Sequence, residues 1–484
     1  MEPSPSTILH RLLSPDFSPG WWASAHEPAA RVPGERVLAE AVGLARHLGD
    51  EVRGERVLLR GALGPAWGSA FVGLALAGAL VVPVARGAAP PELAHVARDV
   101  GAKFGVDGDA PETRITDGVE RIDRPAPGVV DRGWIDHALD AIDPRSPVLV
   151  VYTSGTTGLP KGAVLTHQNV SAQTRVLRDA WEISARDTLL HALPMHHVHG
   201  ITVAFLTALT AGANVLYAPK FEAVAALEAM RSASVFMAVP TMWSRIVEAI
   251  EAGGTPLAEG LSRLRLFTSG SAALPASLAA RVRDLAGALP LERYGMTEIG
   301  MALSNPLDPA RRRLGCVGTP LPTVEARIVD ERGAEVDGPG ALEIRGPSVF
   351  AGYWGKDPSI DFRGDWFQTG DVAQRDEHGV YRLLGRSSVD ILKTGGEKVS
   401  ALEIEDVLRE HAAVVEVAVI GVPDDEWGQR VVAVVVARGP LTSEEVRSFA
   451  RTRVAPHKVP KEVRFVEALP RNAMGKVQKS LLTS

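Results

Sequence analysis

TSGTTGLPKG, residues 153–162, packs three glycines, four hydroxyl side chains and Lys161 into ten positions. It follows the apolar run Val148–Tyr152, which reads as a buried strand. Glycines let backbone N–H groups approach phosphate oxygens, hydroxyls add donors, and the lysine adds charge. The GxxxxGK[ST] and GxGxxG patterns are both absent, which removes the two commonest nucleotide loops. A Gly- and Ser-rich turn by itself is more often structural, so the reading depends on what surrounds it.

On either side, valine- and leucine-rich runs (SPVLVVYTS, ANVLYAP, SVFMAVP) alternate with helical patterns such as AVAALEAMRSA and WSRIVEAIEAG. That alternation predicts parallel sheets covered by helices. Residues 325–386 change to short strands with Gly and Pro turns, an antiparallel and barrel-like texture. Beyond Gly385-Arg386, residues 402–408 have helical spacing and VVEVAVIGV and RVVAVVVAR read as strands. Thr442 and Glu445 make a capping box before the helix EEVRSFARTRV. The predicted fold class is α/β. A large N-terminal domain, 1–386, has helix-covered, mostly parallel sheets plus a small β subdomain over about 320–386. A small α+β domain follows, 387–484. Residues 107–145, rich in Asp, Pro and Gly, read as surface loop.

At 484 residues the chain exceeds what one core usually serves. With 45% hydrophobic and 23% charged residues it is an ordinary folded composition. Its 52 basic and 58 acidic residues balance to −6 without a basic stripe, which argues against a nucleic-acid or anionic-membrane surface. A single cysteine, Cys316, forbids an intrachain disulfide and suits a reducing cytoplasm. No signal peptide is read at the N-terminus. The apolar stretch Trp67–Ala85 holds three glycines, and Pro83 near its end breaks a helix; it reads as a buried helix running into a strand. Lysine is scarce, ten against forty-two arginines, yet six of the ten follow residue 385 and another is Lys161.

The complete string 153–162 resembles the phosphate loop of the adenylate-forming superfamily, which includes acyl-CoA synthetases, luciferase and peptide-synthetase adenylation domains. Further motifs follow in the family's order: SGSAALP (269–275), YGMTE (294–298), LGCVGTPLP (314–322), WFQTGD (366–371), Gly385-Arg386 and Asn472–Lys476. The resemblance implies ATP and CoA as co-substrates and Mg²⁺ as cofactor. Thr153, Ser154, Gly155, Thr156, Thr157 and Lys161 would meet the phosphates. Ser271, Ala272, Ala273, Tyr294, Gly295 and Met296 would line the nucleotide, with Tyr294 stacked on adenine. Asp371 would hold the ribose hydroxyls, with Arg386 beside it. Glu298 would bind Mg²⁺ next to Thr297, and Lys476 would be the catalytic lysine. It also implies that the small domain rotates between two half-reactions, about Ser388, Val389 or Asp390.

An amino-acid substrate would call for an aspartate in LPMHHVHG (193–200), which has histidines instead. Strand-like alternation would separate those histidines, and no fourth ligand follows, so a metal site is not expected. His197 matches the family's gate histidine. The stretch LERYGMTEIG (291–300) reads as a nucleotide-site loop in which Arg293 stands where relatives for uncharged acids carry glycine. A long acyl chain would bury that charge unpaired, whereas a second carboxylate would pair with it. The wider string ERYGMTEIGMALSNP is similar to the malonyl-CoA synthetases. This implies malonate, or methylmalonate, as substrate. Arg293 would sit on its distal carboxylate, with Arg265 and Arg245 as lesser candidates and Met301 near the α-carbon. Other short acids, or a carrier-protein thiol as acceptor, are the alternatives. Residues 393–398 resemble the pantetheine loop, so Lys393, Gly395, Gly396, Glu397, Lys398 and Arg430 are expected to meet CoA, with Lys458 nearby. The partners are thus small molecules, and neither nucleic acid nor membrane is expected.

Overall fold

The computed structural model describes residues 7–108, 115–123, 131–153, 160–395, 397–424, 427–471 and 477–483. Two large sheets carry most of it. The first has seven strands in the spatial order Gly352–Tyr353, Lys161–Thr166, Pro147–Thr153, Leu80–Val84, Arg56–Arg60, Phe104–Asp107 and Glu120–Arg121. Its Val- and Leu-rich centre is parallel, while Pro147–Thr153 and Lys161–Thr166 form an antiparallel hairpin with Thr153 opposite Lys161. Thr153 and Lys161, at the two ends of the phosphate-loop string, thus lie opposite each other, with Lys161 on the strand one in from the sheet's edge, and Ser154 to Leu159 lie outside the described residues.

The second sheet has nine strands, parallel from Leu291–Met296 through Leu266–Ser269, Val235–Ala238, Thr188–His191 and Asn214–Tyr217 to Trp22–Ser24. Antiparallel strands close both edges, among them Gly300–Ser304, which pairs with Leu291–Met296. The expected loop at 291–300 is thus a strand and the start of a tight hairpin. Pairing on both sides, to Leu266–Ser269 and to Gly300–Ser304, overrides the Gly-containing composition and buries Leu291, Arg293 and Tyr294.

The stretch Trp67–Ala85 divides as its glycines and Pro83 dictate, into the helix Pro65–Leu76 and the strand Leu80–Val84. A Cβ on Gly68 would stand 2.3 Å from the Trp22 ring, so only glycine admits that contact. Trp22 and Trp67 both meet Phe205 edge-on, at 5.4 and 5.8 Å, an arrangement aromatic quadrupoles favour. No described helix is long and apolar enough to cross a membrane.

Strands within 325–386 form a five-stranded antiparallel sheet, open rather than barrel-like: among the described residues no pairing joins Glu325–Val329 to Phe362–Arg363 or to Tyr381–Arg386. Part of the segment read as loop over 107–145 is helical, Arg132–Asp140, capped by the Asp131 side chain on the Trp134 N–H. From Ile391 onward a second five-stranded sheet packs on the helices Ala401–Arg409 and Ser443–Arg451. Its own apolar cluster includes Leu392, Ile404, Leu408, Val419, Val435 and Val446. The Thr442–Glu445 capping box is formed; such caps contribute about 1 kcal/mol.

Candidate active site

The edge of the seven-stranded sheet brings one carboxylate next to the phosphate-loop hairpin. The strand Gly352–Tyr353 pairs with Lys161–Thr166, and the Lys161 ammonium lies 5.0 Å from the centre of the Tyr353 ring. The Tyr353 hydroxyl donates to Glu298 Oε1 at 2.5 Å. Glu298 is buried, and loss of hydration raises its carboxyl above the ordinary range. One buried carboxylate oriented by a hydroxyl suits Mg²⁺, a hard cation that takes few protein oxygens when phosphates and water supply the rest. No sequence motif singles out Tyr353.

On the facing side, the Tyr294 hydroxyl donates to Asp371 Oδ2 at 2.5 Å, and Arg386 Nε meets Asp371 Oδ1 at 3.0 Å. Asp371 and Arg386 are cross-strand partners on Trp366–Arg375 and Tyr381–Arg386, so the sheet register itself makes the pair. Gly295 faces Met301 across the hairpin; a Cβ there would stand 2.2 Å from Met301 Cε, so the glycine sets how closely that side chain approaches. Gln173, also unforeseen, fixes the hairpin by accepting the Met301 N–H at 2.6 Å. With Val198, Thr202 and Thr297 it lines a small open pocket.

Arg293 is 4% exposed. One Nη2 hydrogen donates to His199 Nε2 at 2.5 Å, while Nε has no partner among the described residues. Burial alone pushes this guanidinium down to about 9, with no acidic side chain opposing the shift. It keeps its charge at neutral pH, buried and without a counter-ion among the described residues. Burial first, then the Arg293 charge, drives His199 well below its ordinary value. The neutral ring accepts at Nε2, so its Nδ1 carries the proton and donates to Ser271 Oγ at 3.2 Å. Ser271 has φ +66°, sparsely populated for a residue with a Cβ. A Cβ on neighbouring Gly270 would lie 1.8 Å from Arg293 Nη1. Gly270 therefore leaves the room the guanidinium occupies.

The segment 193–200 is not strand-like. It turns and enters a π-helix, His199–Leu206, whose irregular carbonyls are taken up by side chains: Thr207 Oγ1 donates to Thr202 O at 2.9 Å and His191 Nε2 to Gly200 O at 2.9 Å. This geometry turns His199 toward Arg293, while His197 is half-buried with its ring 4.0 Å from that of His196. His199 escapes the sequence pattern because a period of two places it with His197 on one face, whereas a wide helical turn separates them.

Arg265 does not face this site. It grips Asp187 at 2.7 and 2.6 Å and caps Trp181 O and Glu182 O, so its donors are already engaged in the fold. Arg245 is exposed on the helix Pro240–Gly253. In the C-terminal unit, Lys393 and Lys398 are cross-strand partners on the hairpin Ile391–Thr394/Glu397–Ser400, which carries Gly395 and Glu397. Lys398 pairs with Glu331 at 2.9 Å, Arg430 with Glu462 at 2.9 Å and Lys458 with Glu403 at 2.7 Å. Ser154, Gly155, Thr156, Thr157, Gly396 and Lys476 lie outside the described residues.

Comparison with known proteins sets this geometry in context. The family model described as AMP-binding enzyme matches residues 34–354, and that of the AMP-binding enzyme C-terminal domain matches 403–476. The mitochondrial malonate–CoA ligase of Homo sapiens is 45% identical over 373 residues, covering 69% of this chain and 65% of that protein's own length. The crystal structure of ATP-bound MatB from Rhodopseudomonas palustris is 32% identical and superposes with a TM-score of 0.86 over 99% of this chain and 98% of that one. A malonyl-CoA ligase ternary product complex with methylmalonyl-CoA and AMP is 34% identical, with a TM-score of 0.70 over 95% and 99% of the two chains.

Proposed function

The chain belongs to the AMP-binding enzyme family, and from that premise we propose that it is an AMP-forming malonate–CoA ligase. It converts malonate, ATP and CoA to malonyl-CoA, AMP and pyrophosphate through malonyl-AMP. The observation that carries the choice of acid is the buried Arg293, a cation with an unpartnered Nε and no carboxylate among the described residues to neutralise it. A buried charge of this kind costs several kcal/mol unless paired, and the distal carboxylate of a short dicarboxylic acid supplies the pair. Likeness to named malonate–CoA and malonyl-CoA ligases supports the same reading.

In the first half-reaction one malonate oxygen attacks the α-phosphorus and pyrophosphate leaves. The second carboxylate, held at Arg293, aims the reactive one, so binding energy distant from the bond being made is used for alignment. Lys161 and the hydroxyls of 153–157 would meet the phosphates, and Asp371 the ribose, with Tyr294 and Arg386 orienting its carboxylate. Mg²⁺, when bound at Glu298, would neutralise phosphate charge. Lys476 would stabilise the charge that builds between carboxylate and α-phosphate. In the second half-reaction the CoA thiol attacks the acyl carbon and AMP leaves. We assign residues 1–386 to a large domain and 387–484 to a small one that turns between the two steps. The pantetheine arm would pass the hairpin at 391–400. A methyl group at the malonate α-carbon would meet Met301. The single Cys316 is compatible with a reducing compartment such as the cytoplasm.

Chromatography of a reaction containing purified protein, malonate, ATP, Mg²⁺ and CoA tests the reading. Malonyl-CoA and AMP should appear in equal amounts. ADP in place of AMP, or no thioester with malonate, would refute it.

A further inference from the structure

Lys479, three residues beyond Lys476, is buried in an ion cluster that the mechanism above does not use. Its ammonium lies 2.6 Å from Asp390 Oδ1 and 2.7 Å from Glu405 Oε1, with the three side chains only 9%, 14% and 4% exposed. Glu405 is held in turn by the Val419 N–H at 2.8 Å and by Arg409 at 2.9 Å. Burial opposes the charge on Lys479, and the two carboxylates outweigh it. Apolar replacements commonly stabilise a core as well as such a cluster does, so its value lies in fixing geometry.

The second oxygen of Asp390 faces the other way. Asp390 Oδ2 accepts the Arg386 N–H at 3.0 Å, and the Asp390 N–H donates to Arg386 O at 2.8 Å. Meanwhile Asp390 O accepts from Ala401 N at 2.7 Å, on the C-terminal side. Ser387 is fixed to Gly370 O through both its N–H and its hydroxyl, each at 3.0 Å. Residues up to 387 are thus tied to the large part, while Asp390 is tied to the small part as well as to Arg386; Ser388 and Val389 lie between, the Val389 N–H also donating to Arg386 O at 3.2 Å. Gly385, with φ +124°, admits Asp390: a Cβ there would lie 2.4 Å from Asp390 Cβ.

We propose that Lys479 is a positioning residue for the adenylation step: it fastens the C-terminal tail to Asp390, whose other oxygen then docks on the Arg386 N–H in this arrangement of the two parts. The chain pivots at Ser388–Val389, so rotation breaks the bonds of Val389 and Asp390 to Arg386 and leaves Asp390–Lys479 intact. The TM-score is 0.86 to the ATP-bound relative and 0.70 to the product complex. Three residues span at most about 11 Å, so fixing Lys479 limits where Lys476 can reach. The inference rests on the reading that Lys476 serves adenylation.

The test separates the two half-reactions in full-length Lys479→Met, Asp390→Asn and Lys479→Arg proteins. Acid-dependent ATP–pyrophosphate exchange reads the first, using whichever acid the unmodified protein adenylates; thioester formation from synthetic acyl-adenylate and CoA reads the second. Displacement of a catalytic group by about 1 Å typically costs up to a hundredfold. Lys479→Met and Asp390→Asn should therefore lose at least about tenfold in exchange and keep thioester formation within about threefold. Lys479→Arg should restore exchange. Equal losses in both halves, or no loss in either, would overturn the proposal. Asp390→Asn retains an acceptor for the Arg386 N–H, so it decides the question by the same criteria if Lys479→Met does not fold. Lys476→Ala with undiminished exchange would refute the role of Lys476 and leave the malonate reading standing.

Discussion

Replacing Arg293 with methionine should abolish selectivity for malonate while leaving the protein at least as stable. The guanidinium is 4% exposed and has no acidic partner among the described residues, so the folded protein carries its desolvation cost until substrate arrives. An unbranched apolar side chain removes that cost; even buried ion pairs, whose charges are compensated, are often replaced by apolar side chains with a neutral or stabilising effect of about 1–4 kcal/mol. Turnover should move the other way. Without Arg293 the distal carboxylate of malonate enters a buried site in which His199, the side chain bonded to Arg293, is neutral. Breaking a buried charge pair from one side costs about 3–5 kcal/mol. At about 1.36 kcal/mol per decade, kcat/KM for malonate should fall by roughly two to nearly four orders of magnitude. Acetate has no second carboxylate and should lose little. The assay is malonate-dependent AMP formation, with ATP affinity and the thermal midpoint measured on the same preparation. If malonate kcat/KM stays within about threefold, or ATP affinity falls in step with it, the guanidinium supports the fold or the nucleotide and the reasoning fails.

Gly270→Ala puts a Cβ 1.8 Å from Arg293 Nη1 and should raise KM for malonate by about tenfold with ATP affinity unchanged; an unchanged KM would mean the guanidinium does not need that space. Tyr353→Phe removes the hydroxyl that orients Glu298, and the Mg²⁺ concentration for half-maximal rate should rise by about 10-fold or more. A change in thermal midpoint alone would make that hydroxyl merely structural. Burial pushes the Glu292 carboxyl up to about 7. Because its folded value is raised, its contribution to stability is full below about 4.5 and is lost as pH rises through 7, on the order of 3 kcal/mol in all. Glu292→Gln keeps an acceptor for the Gly315 N–H, so its advantage over the unmodified protein in urea should grow from pH 5 to pH 8; a constant difference would contradict this.

The parts of the fold that were legible are those in which a single local rule decides. Pro83 and three glycines divide Trp67–Ala85, the hydroxyl and carboxylate of Thr442 and Glu445 cap a helix, and Val- and Leu-rich runs make parallel strands. The candidate site was read from strings, with Tyr294, Glu298, Asp371 and Arg386 in a recognisable order. What those strings do not encode is long-range contact. His199 lies 94 positions from Arg293 and reaches it only because 199–206 forms a π-helix instead of continuing the alternation expected for 193–200. Arg265 was a lesser acid-binding candidate, but a buried aspartate 78 positions away takes its donors. Tyr353 stood outside every motif, and only sheet pairing carries it to Glu298. The cluster at Lys479 is of the same kind, joining it to carboxylates far upstream at Asp390 and Glu405.

The dicarboxylate assignment is tested most directly by kcat/KM for CoA-dependent AMP formation with malonate, methylmalonate, succinate, acetate and butyrate in parallel. One well-made charge-assisted contact contributes about 1.5–3 kcal/mol, so malonate should exceed acetate and butyrate by at least about tenfold. Acetate or butyrate matching or outpacing malonate would contradict the role given to Arg293.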